Sequence, residues 1–262
     1  MLNLPFYQID AFAEKPFSGN PAAVVILDNW LDKQLMQNIA EENNLSETAF
    51  IVAKDKNFEI RFFTPTVEVD LCGHATLASG FVLFNILNYK QNTITFVTQN
   101  SGNLLVSKED EKIVLDFPCD NITKVNVPTI IREAFNIQPE QAFLGKTDLM
   151  LIFETEAQIN KIEPNFDLLK NINVRGIIIS APGQNVDFVS RFFAPVSGIN
   201  EDPVTGSAHT TLIPYWSEQL NKKEMEALQL SKRGGKIYCK LKGKRVIIAG
   251  HANHYLSGKI SI

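Results

Sequence analysis

Arg61-Phe62-Phe63-Thr64-Pro65, followed by Cys72-Gly73-His74-Ala75-Thr76, has a second copy in the same chain. Arg191-Phe192-Phe193-Ala194-Pro195 is followed by Thr205-Gly206-Ser207-Ala208-His209, half a chain length further on. The approaches match too. Phe50-Ile51-Val52-Ala53 and Phe58-Glu59-Ile60 lead into the first copy, and Ile177-Ile178-Ile179-Ser180 and Val186-Asp187-Phe188-Val189 into the second. Each copy reads strand, turn, strand, loop, glycine, helix. A duplicated chain is expected to fold as two similar halves, with two equivalent loops able to face one cleft.

Outward from the repeats, residues 4–12 alternate as a strand, and Pro16-Phe17-Ser18-Gly19-Asn20-Pro21 is dense in turn formers. Residues 22–27 read as a buried strand. Residues 32–43 show helical spacing, with Leu35, Met36, Ile39 and Ala40 on one face. Strands are expected at 49–53 and 58–64, a helix at 74–87, and strands at 94–98, 104–108 and 113–117. The polar segment 118–128, with two prolines, marks the boundary. This gives an N-terminal lobe of residues 1–117, with the last strand of the chain as a candidate addition, and a C-terminal lobe of 118–262. The second half repeats the order, with helices at 129–135, 166–171 and 207–220 and strands at 142–144, 149–154, 176–180 and 185–193. A terminal meander is expected over 235–262.

At 262 residues the chain has room for two domains. Its 45% hydrophobic and 21% charged residues fit a soluble globular protein. Net charge is −4 and no basic run stands out, which argues against nucleic acid or an anionic membrane as partner. No apolar run approaches a membrane span and the N-terminus lacks a leader pattern, so a cytoplasmic location is expected. Three scattered cysteines, Cys72, Cys119 and Cys239, make no disulfide framework. Glycine-rich dinucleotide and P-loop patterns are missing.

Gly73-His74 and Gly206-Ser207 stand where a loop enters an apolar helix. A helix start carries unpaired N–H groups and partial positive charge, and glycine lets a ligand approach the backbone. Two such ends suit a carboxylate. The competing reading is a pair of ordinary helix starts. Glu47, in a short polar segment before a buried strand, is a candidate to move protons; a solvated loop glutamate is the alternative. Asp202 is a candidate ahead of the second helix, or a turn residue. His74 is a candidate donor or relay, or a capping histidine. Cys72 precedes a helix, where a thiol is acidified. The equivalent position in the second copy holds Thr205, whose hydroxyl is too weak an acid for a two-thiol racemase. A site of Cys72, His74 and His209 has only residue type in its favour, and no metal is expected.

The stretches at 10–20, 45–50, 61–76 and Asp202-Pro203-Val204-Thr205-Gly206-Ser207-Ala208-His209 resemble the phenazine-biosynthesis PhzF-like family, in order and over essentially the whole chain. The resemblance implies an α+β, diaminopimelate epimerase-like fold: two pseudo-symmetric lobes, each a mixed β-sheet wrapped around a central helix. It implies that those helices begin near His74 and Ser207, that the site lies between the lobes, and that homodimers are common. The family's catalytic acid/base maps onto Glu47. Its other polar site residues map onto His74, Asp202 and Ser207, with Gly73 and Gly206 as backbone donors, Asn20 near the substrate and Thr205 in the binding set. The expected function is a cofactor-independent isomerase acting on a small carboxylated substrate. The alternatives are an amino-acid epimerase or racemase, and a non-catalytic binding protein of the same fold.

Overall fold

The computed structural model describes residues 1–262. The chain divides into two compact units, residues 1–117 with 248–262, and residues 118–247.

The first unit runs β1 (Asn3–Ala11), β2 (Asn20–Leu27), α1 (Lys33–Asn43), β3 (Glu47–Lys54), β4 (Asn57–Phe63), β5 (Glu68–Val69), α2 (Gly73–Phe81), β6 (Thr93–Val97), β7 (Asn103–Glu109) and β8 (Lys112–Pro118). The chain's last strand, Ala252–Ser261, pairs antiparallel with β1. From β1 the pairings are antiparallel to β2, parallel to β3, antiparallel to β4, parallel to β6 and antiparallel to β7.

The second unit runs β9 (Thr123–Val125), α3 (Thr129–Ala134), β10 (Gln141–Leu144), β11 (Asp148–Ile152), α4 (Glu156–Lys161), α5 (Phe166–Leu169), β12 (Gly176–Pro182), β13 (Phe188–Phe193), α6 (His209–Leu220), β14 (Glu224–Gln229) and β15 (Gly235–Lys242), and the chain leaves it within β16 (Arg245–Gly250). From β10 the pairings are antiparallel to β11, parallel to β12, antiparallel to β13, parallel to β14 and antiparallel to β15. The two series are the same. The class is α+β, with mixed sheets and few helices, and no helix is long and apolar enough to cross a membrane.

Each unit buries its repeated helix. Every residue of α2 from Gly73 to Gly80 is buried, including His74, Thr76 and Ser79. A Cβ at Gly80 would meet Val106 Cγ1 at 2.6 Å, so only glycine lets α2 lie this close to β7. In α6, His209, Leu212, Ile213, Tyr215 and Trp216 are buried. A second layer covers each sheet. In the first unit Met36 and Ile39 of α1 pack with Val25, Phe50 and Phe63. In the second, Ile131 of α3, Ile159 of α4 and Leu169 of α5 pack with Ile177, Ile179 and Phe193.

The duplicated Arg-Phe-Phe triplet has one structural job in both units. Arg61 of β4 grips Glu68 with two bonds, Nε–Oε1 at 2.6 Å and Nη2–Oε2 at 2.9 Å, and lies over the Phe63 ring at 5.3 Å. Arg191 of β13 grips Glu201 at 2.7 and 3.1 Å and lies over Phe193 at 5.0 Å. A planar guanidinium suits both contacts, the carboxylate in its plane and the ring on its face. Each pair ties the loop leading to the repeated helix back to its strand.

Several elements differ from the expectations. The helix expected over 74–87 is α-helical only to Phe81 and ends in a π-helical turn, Val82–Ile86. The helix expected at 207 begins at His209, because Gly206-Ser207-Ala208 forms a tight turn bonded through His209 N–H to Gly206 O at 3.1 Å and Thr210 N–H to Ser207 O at 3.1 Å. Helix α4 and strand β14 were not expected. Pro214 lies inside α6, in its second turn.

Gly19 ends the loop that delivers β2. Its φ is +70°, and an added Cβ would meet Ala11 O at 2.2 Å. Gly19→Ala is therefore expected to destabilise the fold by about 1–3 kcal/mol or more. Thermal denaturation checks this: an unchanged Tm would mean that the loop relaxes freely around a side chain.

Candidate active site

Three backbone segments of the first unit begin together. Asn20 opens β2, Glu47 opens β3, and Gly73 opens α2. Strands β2 and β3 are parallel, with Ala22 beside Glu47, so their N-terminal ends share one edge of the sheet. Glu47 is thus the first residue of a strand and not a loop residue as its polar neighbourhood suggested. The next residue, Thr48, is fully buried and accepts a hydrogen bond from Asn43 Nδ2 at 3.1 Å, which ties the strand start to the end of α1.

His74 is the hub. Its Nε2 lies 3.0 Å from Glu47 Oε2. Its Nδ1 lies 3.1 Å from Asn20 Nδ2. Cys72 Sγ stands 3.5 Å from Nδ1 and 3.9 Å from Nε2. The Glu47 contact is at ion-pair distance, and that oxygen accepts no well-aligned hydrogen bond. Glu47 keeps 13% of its side chain exposed against 5% for His74, so the carboxylate is the group that reaches outward.

Burial pulls the His74 imidazole toward neutrality, but Cys72 and Glu47 outweigh it, and its pKa stands well above the ordinary value. The Cys72 thiol is pushed up by burial and by the Glu47 charge. Glu47 and Cys72 thus act on His74 in the same direction, against its burial. The helix start tends to acidify the thiol, and here desolvation and a nearby carboxylate win. Cys72 is the N-cap of α2 through its backbone: its carbonyl accepts from Thr76 N–H at 3.0 Å and from Thr76 Oγ1 at 2.6 Å.

The second unit gathers Asp202, Thr205, His209 and Gln229. Thr205 Oγ1 donates to Asp202 Oδ2 at 2.5 Å. Gln229 Oε1 accepts from Thr205 N–H at 2.8 Å, and its Nε2 donates to Asp202 O at 2.8 Å. His209 is fully buried, with Nδ1 2.9 Å from Thr205 O. Burial pushes its pKa down to about 4, only partly offset by that carbonyl. It is a neutral ring donating Nδ1–H to that carbonyl, which braces the turn ahead of α6. Ser207 accepts from Arg175 Nη2 at 3.1 Å, while Arg175 Nε is held on Asp148 Oδ1 at 2.9 Å. Gly206 is buried within the tight turn ahead of α6.

Of the expected residues, the structure brings Asn20, Glu47, Gly73 and His74 together in one unit, and Asp202, Thr205, Gly206 and Ser207 together in the other. Sequence reading missed Gln229 and Arg175. Gln229 is 24 residues beyond Thr205 and has no motif around it; only the pairing of β14 with β13 brings it in. Gln229→Leu leaves the buried Thr205 N–H and Asp202 O without this partner, each worth about 1–3 kcal/mol. It is expected to loosen the 202–206 turn. Hydrogen exchange at Thr205 N–H measures this, and protection equal to the parent's would show that Gln229 is dispensable.

Comparison with known proteins follows the same residues. The family model described as phenazine biosynthesis-like protein matches residues 9–258. The chain belongs to this family. A Pseudomonas aeruginosa protein named as an uncharacterized isomerase is 49% identical, with each chain wholly covered. The crystal structure of a PhzF-family protein from Enterococcus faecalis superposes with a TM-score of 0.96 at 46% identity, each chain again wholly covered. A probable proline racemase from Agrobacterium radiobacter, with bound carbonate in its crystal structure, shares the fold at a TM-score of 0.66 and 9% identity, over 99% of this chain and 93% of that one. PhzF-family relatives thus carry the isomerase label, on a fold shared with racemases.

Proposed function

We propose that the protein is a cofactor-independent isomerase in which Glu47 shuttles a proton on a small carboxylated substrate. The observation that carries this reading is the Glu47–His74 pair: a carboxylate at a strand start, 3.0 Å from a buried imidazole at a helix start. Glu47 takes a proton from a carbon next to an unsaturated group, and electron density shifts along the substrate. Glu47 then delivers that proton to a second carbon. No electrons are gained or lost, and the enzyme ends in its starting state.

The supporting groups follow from the chain. The first turn of α2 leaves backbone N–H groups without intrahelical acceptors, beginning at Gly73, and these suit the substrate carboxylate. The His74 imidazolium offsets the charge of Glu47 and of an arriving anion. The Asn20 amide stands 3.1 Å from Nδ1, beside the ring. Preorganised donors of this kind stabilise charge as it develops in the transition state. Asp202 and Ser207 are proposed to contribute to substrate binding, since the family resemblance maps site residues onto them.

The second reading, a two-thiol racemase, is disfavoured by Cys72 itself, which is raised toward neutrality and has Thr205 at its repeat-equivalent position. Cys72→Ala is expected to retain most turnover; complete loss in a folded protein would bring back thiol chemistry. The direct test is a thermal-shift screen of cyclic and amino-acid carboxylates, followed by deuterium wash-in on each binder. Exchange or transposition of a C–H next to an unsaturated group is the expected result. A binder that never exchanges and never isomerises would favour a binding protein.

A further inference from the structure

We propose that Arg175 is a positioning residue: through its bond to Ser207 it holds that hydroxyl as a fixed donor for the anionic group of the substrate. The proposal rests on the carboxylate-binding part of the reading above and not on the proton shuttle.

The internal repeat locates it. Phe50 of β3 stands opposite Arg61, and Ile179 of β12 stands opposite Arg191, so the duplicated arginines align the two strands. Three residues back from each, the place of Glu47 falls on Gly176, and its β2 neighbour Ala22 corresponds to Asp148 of β11. The copies Cys72-Gly73-His74 and Thr205-Gly206-Ser207 put Ser207 where the first unit has His74. The spot that pairs a carboxylate with an imidazole in the first unit thus has, in the second, no side chain on the strand and a hydroxyl on the turn. Arg175, one residue ahead of Gly176, reaches that hydroxyl instead, with Nη2 3.1 Å from Ser207 Oγ.

Arg175 is held from several sides. Its backbone N–H donates to Thr147 O at 2.8 Å. Its Nε donates to Asp148 Oδ1 at 2.9 Å, and Nη2 bonds the other carboxylate oxygen. The guanidinium lies over the Phe192 ring at 5.5 Å. That ring fills the space of the missing side chain: a Cβ on Gly176 would meet Phe192 Cζ at 2.1 Å. The Asp148 side chain is 3% exposed and that of Arg175 is 40% exposed, so the pair is a dipole with its buried end negative and its positive end at Ser207. A guanidinium only donates, so Ser207 Oγ accepts from it and the hydroxyl proton points away from Nη2, ready to donate. The fixed positive charge behind that donor favours an anion over a neutral acceptor.

The test is equilibrium binding to the full chain, followed by NMR at the Gly206 and Ser207 amides. The probes are acetate and benzoate, each beside its neutral counterpart, acetamide or benzamide. The parent is expected to bind the carboxylates in preference to the amides. Arg175→Gln should weaken carboxylate binding by about 10–100-fold, the worth of a hydrogen bond to a charged group, and leave the amides nearly unchanged. Arg175→Lys keeps the charge without the fork and should recover part of the loss. Ser207→Ala should cost a similar amount. The double variant Arg175→Gln/Ser207→Ala should cost little more than either alone, because one residue acts through the other. Arg175→Gln leaves the Asp148 carboxylate buried without its counter-ion. Asp148→Asn/Arg175→Gln is therefore made beside it, circular dichroism verifies folding, and the neutral pair carries the comparison where the single variant does not fold. Because binding is read without turnover, a failed proton shuttle leaves these results untouched. Amides bound as tightly as carboxylates by the parent, or no saturable shift with either carboxylate, would overturn the proposal together with the carboxylate reading. A parent that prefers carboxylates, with Arg175→Gln keeping that preference, would overturn the role of Arg175 alone. So would equal weakening of both probe classes, which marks a structural role, or additive losses in the double variant.

Discussion

Glu47→Gln is expected to lose turnover on a confirmed substrate by about 10²–10⁴-fold, the range that a positioned general acid–base supplies. The amide is nearly isosteric with the carboxylate, and the position is a strand start with part of its side chain exposed. Folding and substrate affinity should therefore stay close to the parent's. The loss should fall on kcat, the pattern of an interaction that matters in the transition state. One second effect is predicted by the geometry. Without the carboxylate 3.0 Å from Nε2, the desolvated His74 loses one of the two groups that raise its pKa, which should therefore fall. NMR titration of the imidazole follows this directly. A Glu47→Gln protein with the parent's turnover would move the proton-transfer role elsewhere, with Asp202 the first residue to examine. A variant with low turnover and an unmoved His74 would separate catalysis from the ion pair.

The fold was readable because the chain carries its own comparison. A single Arg-Phe-Phe triplet is an unremarkable strand. Two of them, each with a glycine-led helix behind it, indicate two units of one topology, and the matching series of strand pairings is the physical form of that repeat. What failed to show was local. Strand β14 reads Glu-Met-Glu-Ala-Leu-Gln, a run of helix-forming residues, yet it lies parallel to β13 and antiparallel to β15. Met225, Ala227 and Gln229 point inward, and the sheet on either side overrides intrinsic preference. Helix α4 is only six residues long and follows directly on a buried strand. Its signal was present: Thr155 and Gln158 form a capping box.

The candidate site was half legible. Residue types and motif positions pointed to Asn20, Glu47 and His74, but the hub role of His74 depends on three segments starting at one edge, which no spacing states. The behaviour of Cys72 was a contest between a helix start, which acidifies, and burial beside a carboxylate, which does the opposite. Only distances decide it, and they favour the neutral thiol. The Asp202–Thr205–Gln229 knot was legible at one end only, since Gln229 arrives from a strand that sequence reading missed.

The steepest expected pH effect on stability belongs to His209. Its ring is fully buried, its Nε2 has no hydrogen-bond partner, and its pKa falls from 6.5 to about 4. A depressed pKa means that the unfolded chain binds a proton more readily than the folded one. The contribution of His209 is thus fully present above pH 6.5 and is lost as pH falls from there toward about 4, below which both states are protonated. A displacement of that size corresponds to about 3 kcal/mol. His74 works in the opposite direction, because its raised pKa favours the folded state below pH 6.5, so the wild-type curve alone does not isolate either residue. The comparison with His209→Gln does. Glutamine can still donate to Thr205 O and has no titrating proton. Its stability at pH 7 is expected to be somewhat lower, and its fall between pH 6.5 and 4 shallower than the parent's by about 3 kcal/mol. Urea unfolding at closely spaced pH values measures both curves. Parallel curves would mean that His209 takes up its proton inside the folded protein without penalty, and that acid opens this turn through the carboxylate of Asp202.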